Sequence, residues 1–201
     1  MILVENISLE ELDEISYLIG EAFVNNDLFY EFGDIKERRN LVLKYMEAYV
    51  KCAYASKTLY KSDDGKGFIG LCYSDEKHYF LQLIMMIKII QIIPFKVMKR
   101  FIKQIKAIAD GNKEYTTSTY LEVLMVCVRK EYQGQGKAKE LVDFAKEKAS
   151  SRNVPLLFGT DMEAYAKMYQ HLGCKLYNTK TALNGVTRYN LVWKGYDELY
   201  E

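Results

Sequence analysis

The chain has 201 residues, 49% hydrophobic and 27% charged, a globular mix that can bury a core and argues against disorder. Its length predicts one domain over residues 1–201. Lys and Arg number 28 against 27 Asp and Glu, and the net charge of +1 excludes a chain built mainly to cover nucleic-acid phosphates.

An apolar run at residues 2–4 predicts a first strand. Ser8 with Glu11 has the form of a capping box, and Leu12, Ile15, Ile19, Ala22 and Phe23 repeat at helical spacing to about Val24. Residues 25–33 read as a loop with two Phe and a Tyr. Asp34 then caps a second helix carrying Ile35, Arg38, Val42, Tyr45, Met46 and Tyr49. Strands at 58–61 and 67–73 flank an Asp-Gly step that favours a hairpin. From 78 to 109 the chain is expected to be helical, with Pro94 either kinking one helix or opening a second. Beyond it Val97, Phe101, Ile105 and Ile108 share one face, and Lys96, Lys99, Arg100, Lys103 and Lys106 fall largely on the other. We read this as a solvated face over a core stripe, ended by Asp110-Gly111-Asn112.

Residues 119–128 form a long apolar run suited to a central strand. Ala138, Leu141, Val142, Ala145 and Ala149 mark a helix, 156–158 a strand, and Ala164, Met168 and Leu172 a helix ending at Gly173. Strands at 175–181 and 186–193 join across Asn184-Gly185, and 195–201 read as a frayed end.

Cys52, Cys72, Cys127 and Cys174 lack zinc-knuckle spacing, and His78 and His171 have no neighbours that complete a site, so no metal is expected. Reduced thiols, no visible targeting segment and no apolar run of spanning length predict a soluble cytoplasmic protein without a membrane or nucleic-acid partner.

The chemistry concentrates in the turn after the long strand, Gln133-Gly134-Gln135-Gly136-Lys137-Ala138. Glycines let backbone turn freely and let a ligand approach it, while the first N–H groups of the following helix lack internal acceptors. With the helix dipole these features suit a pyrophosphate. A Gly-x-Gly turn alone is also an ordinary strand-to-helix connection, and neither the P-loop nor the full dinucleotide spacing is present.

Gln133-x-x-Gly136-x-Ala138 resembles the acetyl-CoA signature of the GNAT N-acetyltransferases. The downstream run from Ala164 through Tyr169 to Gly173 resembles that family's next helix, with Cys174 where Phe is usual. The resemblance implies an α/β acyltransferase fold, a mixed and mostly antiparallel sheet flanked by helices, with an acetyl-CoA-binding core at 119–194 and an inserted helical segment at 78–109.

It further implies that backbone at Val126, Cys127 and Val128 pairs with the pantetheine arm. The N–H groups of Gln133, Gly134, Gln135, Gly136, Lys137 and Ala138 would hold the pyrophosphate, with Arg129 or Lys137 reaching toward its charge. Tyr169 would be the general acid and Glu122 the base, acetyl-CoA the co-substrate and a small-molecule primary amine the acceptor. Asp27 and Glu31 in the 25–33 loop stand where the family surrounds its acceptor. A second reading is a non-catalytic acyl-CoA sensor, and a third a membrane- or RNA-bound protein using the basic helix. The last strands and the 78–109 segment leave room for a homodimer.

Overall fold

The first two helices start where side chains meet the unpaired N–H groups of a first turn. Ser8 Oγ accepts from Glu11 N at 3.1 Å while Glu11 Oε2 accepts from Ser8 N at 2.9 Å, opening α1 (Leu9–Phe23). Asp34 Oδ1 accepts from Lys36 N and Glu37 N, both at 2.9 Å, opening α2 (Ile35–Ala55). Between them the 25–33 stretch is more ordered than a loop. Residues Asp27–Phe32 form a 3-10 turn that drives Phe29 into the core, 5.1 Å from the Tyr45 ring.

A computed structural model describes residues 1–76, 78–109 and 111–195. Its strands are β1 (Ile2–Leu3), β2 (Leu59–Lys61), β3 (Gly67–Tyr73), β4 (Leu121–Val128), β5 (Leu156–Thr160), β6 (Lys175–Thr181) and β7 (Thr187–Trp193). They form one sheet in the order β1-β2-β3-β4-β5-β7-β6, antiparallel throughout except for β4 with β5. Both hairpins turn where sequence chemistry places them, at Gly65 (φ 67°) and Gly185 (φ 90°).

The insertion contains two helices, α3 (Tyr79–Ile92) and α4 (Phe95–Ile108), with Pro94 opening the second and its carbonyl accepting from Met98 N at 2.9 Å. Gly111 and Asn112 do not act as a simple stop: they enter a short helix, α5 (Gly111–Tyr115). Asp110 and most of the expected frayed end lie outside the described residues. Helices α6 (Lys137–Ser151) and α7 (Glu163–His171) complete the order.

The sheet packs helices on both faces. Phe68, Met125 and Cys127 face α1, α2 and the insertion, while Ile69, Leu71, Leu121 and Val123 face α6 and α7. The change of face along β4 comes from one extra residue. Gly70 opposes Met125 and Leu71 opposes Val123, so Leu124 is bulged out and the strand's inward set switches sides.

Leu141 is fully buried on α6 and lies 3.0 Å from where a Cβ on Gly67 would stand, so it locks α6 onto β3. Leu141→Ala leaves a void there, and we expect urea denaturation to show a loss of about 3 kcal/mol.

Candidate active site

At one end of the site lies the glycine turn. Gly134 (φ 75°) and Gly136 (φ 78°) both occupy the left-handed region that disfavours L side chains, and a Cβ on either would meet open space. The first N–H donated within α6 is that of Glu140, to Gly136 O at 3.2 Å. The N–H groups from Gly134 through Lys139 therefore have no backbone acceptor among the described residues.

The nearby cations do not aim at this cradle. Lys137 Nζ lies 2.7 Å from Asp64 Oδ2 and 2.9 Å from Glu140 Oε2. The Asp64 carboxylate, then Glu140, raises its ammonium to about 12, and Lys137 in turn holds Asp64 well below the usual carboxylate range. Arg129 Nε donates to Gly65 O at 2.9 Å. An anion placed here would therefore meet backbone N–H groups and the α6 dipole rather than these side chains.

From the turn a cavity of about 460 Å³ runs between β4 and β5. The two strands pair only from Leu121 to Val123 against Leu156 to Phe158, and then they part. The later residues of β4, including Val126, Cys127 and Val128, line the gap without a strand partner on that side. An extended ligand arm has room to add itself there by main-chain pairing. Cys127 turns its thiol into the core, where burial pushes it up to about 12, which removes it as a nucleophile.

Tyr169 stands on the cavity wall, its ring 4.8 Å from that of Phe158. Burial raises its phenol above the ordinary value. Cys174, where the resembling motif has Phe, is buried in the same core cluster.

The same cavity contains a pair that sequence reasoning missed. Asp161, 5% exposed, accepts from Arg188 Nε at 2.8 Å, and both residues line the space. Burial raises the Asp161 carboxyl despite the guanidinium. Above them, Tyr45 and Tyr49 stack at 6.4 Å, and Tyr49 Oη donates to Leu124 O at 3.5 Å. Burial pushes the Tyr45 phenol up to about 12. A usable signal existed in β7, whose alternation sets Arg188 opposite to Tyr189 and Leu191.

Glu122 is not brought into this cavity. It lines a second space of about 210 Å³ between α2, α3 and the sheet, where it accepts from Asn112 Nδ2 at 2.9 Å. Leu124 lines both spaces. Among the described residues no group of three or more His, Cys, Asp or Glu is arranged to hold a metal ion, and the cysteines are free thiols.

The sequence model of the acetyltransferase (GNAT) family matches residues 97–174, which contain the glycine turn, β4, β5 and α7. No curated protein matches the sequence significantly. Among solved structures, the histone acetyltransferase HPA2 and related acetyltransferase of Corynebacterium glutamicum is 14% identical over 94% of this chain and 92% of its own, at TM-score 0.62. Arylalkylamine N-acetyltransferase 2 of Aedes aegypti is 16% identical over 94% and 95%, at 0.55. A structure from Agrobacterium tumefaciens shares 23% identity over 37% of this chain, which spans 56% of that protein, at 0.35. The family match covers residues 97–174, and the likeness to these solved structures is one of fold over nearly the whole chain.

Arg188→Met strips a buried carboxylate of its partner and should cost about 3 kcal/mol at neutral pH. Because burial raises the Asp161 pKa, the folded state binds that proton more tightly than the unfolded chain, so stability falls as pH rises through the folded value. Urea titrations of the variant should therefore show a smaller cost under mildly acidic conditions. An equal cost at both pH values would mean that Arg188 acts through packing.

Proposed function

We propose that the protein is an acetyl-CoA-dependent N-acetyltransferase that passes acetyl directly to a primary amine of a small molecule. The observation that carries this reading is the parted β4–β5 gap, with unpaired N–H groups at one end and Tyr169 with the Asp161–Arg188 pair further along. The glycine turn fits a pyrophosphate and the free edge of β4 fits an amide-bearing arm. Bound acetyl-CoA supplies an activated thioester. The chain must then orient a neutral amine toward that carbonyl and deliver a proton to the departing sulfur.

Tyr169 is the proposed acid. Its raised pKa keeps the phenol protonated through the neutral range and into alkaline pH, as a proton donor requires. Glu122 is the base that the sequence resemblance implies, and from the second cavity it would act through water. Sharing the main cavity with Tyr169 favours Asp161 for the same task.

Calorimetric titration with acetyl-CoA should show one site, and an amine panel read by CoA release should find turnover. Binding without turnover across the panel would favour the acyl-CoA sensor; no binding would remove both readings. In Tyr169→Phe we expect kcat to drop at least about 100-fold with little change in KM for acetyl-CoA. The wild-type rate should not fall on the alkaline side until above about pH 10, since the acid titrates higher than an ordinary tyrosine.

The two carboxylates separate by experiment. The base variant, Glu122→Gln or Asp161→Asn, should flatten the acidic limb of the pH–rate profile. The other should leave that limb in place and alter only KM for the amine or stability.

A further inference from the structure

A helix that is apolar all round is normally enclosed, yet α3 is not. Of its fourteen residues only Ile89 is buried, with Met85 and Ile92 partly packed on the core. Phe80 (74% exposed), Leu83, Ile84, Ile87 and Ile90 recur at helical spacing on the opposite side. Beyond Pro94, Phe95 is 82% exposed, and Phe95, Lys99, Ile102 and Lys106 follow one another along an exposed face of α4. Large apolar side chains exposed together along one helix face mark an interaction site.

Charge identifies what it meets. Residues 78–109 contain Lys88, Lys96, Lys99, Arg100, Lys103 and Lys106 and no Asp or Glu, a charge of +6. With +1 overall, the remaining chain has 1 − 6 = −5. Arg100 pairs with Glu31, but among the described residues none of the five lysines is in an ion pair. A second copy seated by two-fold symmetry would bring this cationic rim against itself. Tyr79, Phe80 and Phe95 offer flat faces to a base, but RNA would gain little from Leu83, Ile84, Ile87 and Ile90, which make up most of the exposed face of α3.

We propose that α3 and the outer face of α4 form a peripheral docking surface for an anionic phospholipid bilayer. The apolar strip enters the headgroup boundary and the lysines meet lipid phosphate or carboxylate. Among the described residues no helix is long and apolar enough to cross a membrane, so the mode is lying on the surface. The inference is independent of acetyl transfer.

The test is sedimentation of the full chain with vesicles of phosphatidylcholine alone and of phosphatidylcholine with phosphatidylglycerol. Retention on the anionic vesicles, weakened by high salt and absent on the neutral ones, is expected. Lys99→Glu/Lys103→Glu should reduce affinity at least about 25-fold, at roughly fivefold per lysine. Leu83→Glu/Ile87→Glu should abolish retention at any salt concentration. All four positions are exposed, so the variants should keep the wild-type circular dichroism, and Lys36→Glu, at an exposed position on α2, serves as a charge control outside residues 78–109.

Failure of the wild-type chain to bind anionic vesicles at low salt would overturn the proposal. So would a stable dimer in light scattering that Leu83→Glu/Ile87→Glu dissolves without any vesicle binding. Retention by single-stranded RNA that exceeds vesicle binding and ignores the Leu83 and Ile87 changes would overturn it in favour of nucleic acid.

Discussion

The extra residue at Leu124 is the constraint on which the rest of the site depends. A regular β4 would keep one set of side chains on one face for eight residues and continue pairing with its neighbours. With Leu124 bulged, Leu121 and Val123 pack on α6 and α7 while Met125 and Cys127 pack on α1 and α2. Pairing with β5 ends at Val123, one residue before the bulge. The gap that opens there is lined by strand backbone on one side and by Tyr169, Phe158 and Asp161 on the other. A bulge thus converts the centre of a sheet, where a ligand has no access, into a cleft.

The site divides its electrostatic work between backbone and side chains. At the glycine turn, Lys137 and Lys139 are held by acidic neighbours, Asp64 and Glu140 for the first and Asp143 for the second. Fixed dipoles there need no rearrangement when an anion arrives. At the far end the arrangement inverts, because Asp161 and Arg188 are charges taken out of water and retained only because they face each other. A buried pair of this kind adds little to stability compared with apolar packing, and it is costly to break. Its position in the main cavity suits a ligand-orienting part better than a structural strut.

Features set by neighbours in the chain were legible in the sequence. The Ser8 capping box, the Asp34 cap, both glycine hairpins, the central place of β4 and the glycine turn follow from residues within a few positions of one another. Features that depend on distant register were not. The bulge exists because of how β4 aligns with β3, and no residue near Leu124 announces it. Asp161 and Arg188 are 27 positions apart and meet only because Thr160 pairs with Tyr189 across β5 and β7. Glu122 could be assigned a face from alternation, but not a cavity. The apolar character of α3 was legible, but which of its residues stay exposed was not, since periodicity records what could be buried and not whether enough protein exists to bury it.

The exposure of α3 bears on the Glu122 cavity as well as on the surface. His78, Gln82, Met85 and Met86 form one wall of that space, so the helix that presents Phe80, Leu83 and Ile87 outward also closes a chamber beside the sheet. Its hold on the fold is a single buried side chain and a partly packed strip against α2, far less than α2 itself has. A segment with so little buried area lies at the low end of local stability and can shift at small cost. Leu124 borders both spaces, and Tyr49 donates to its carbonyl, so the two spaces share a wall at the point where β4 and β5 part.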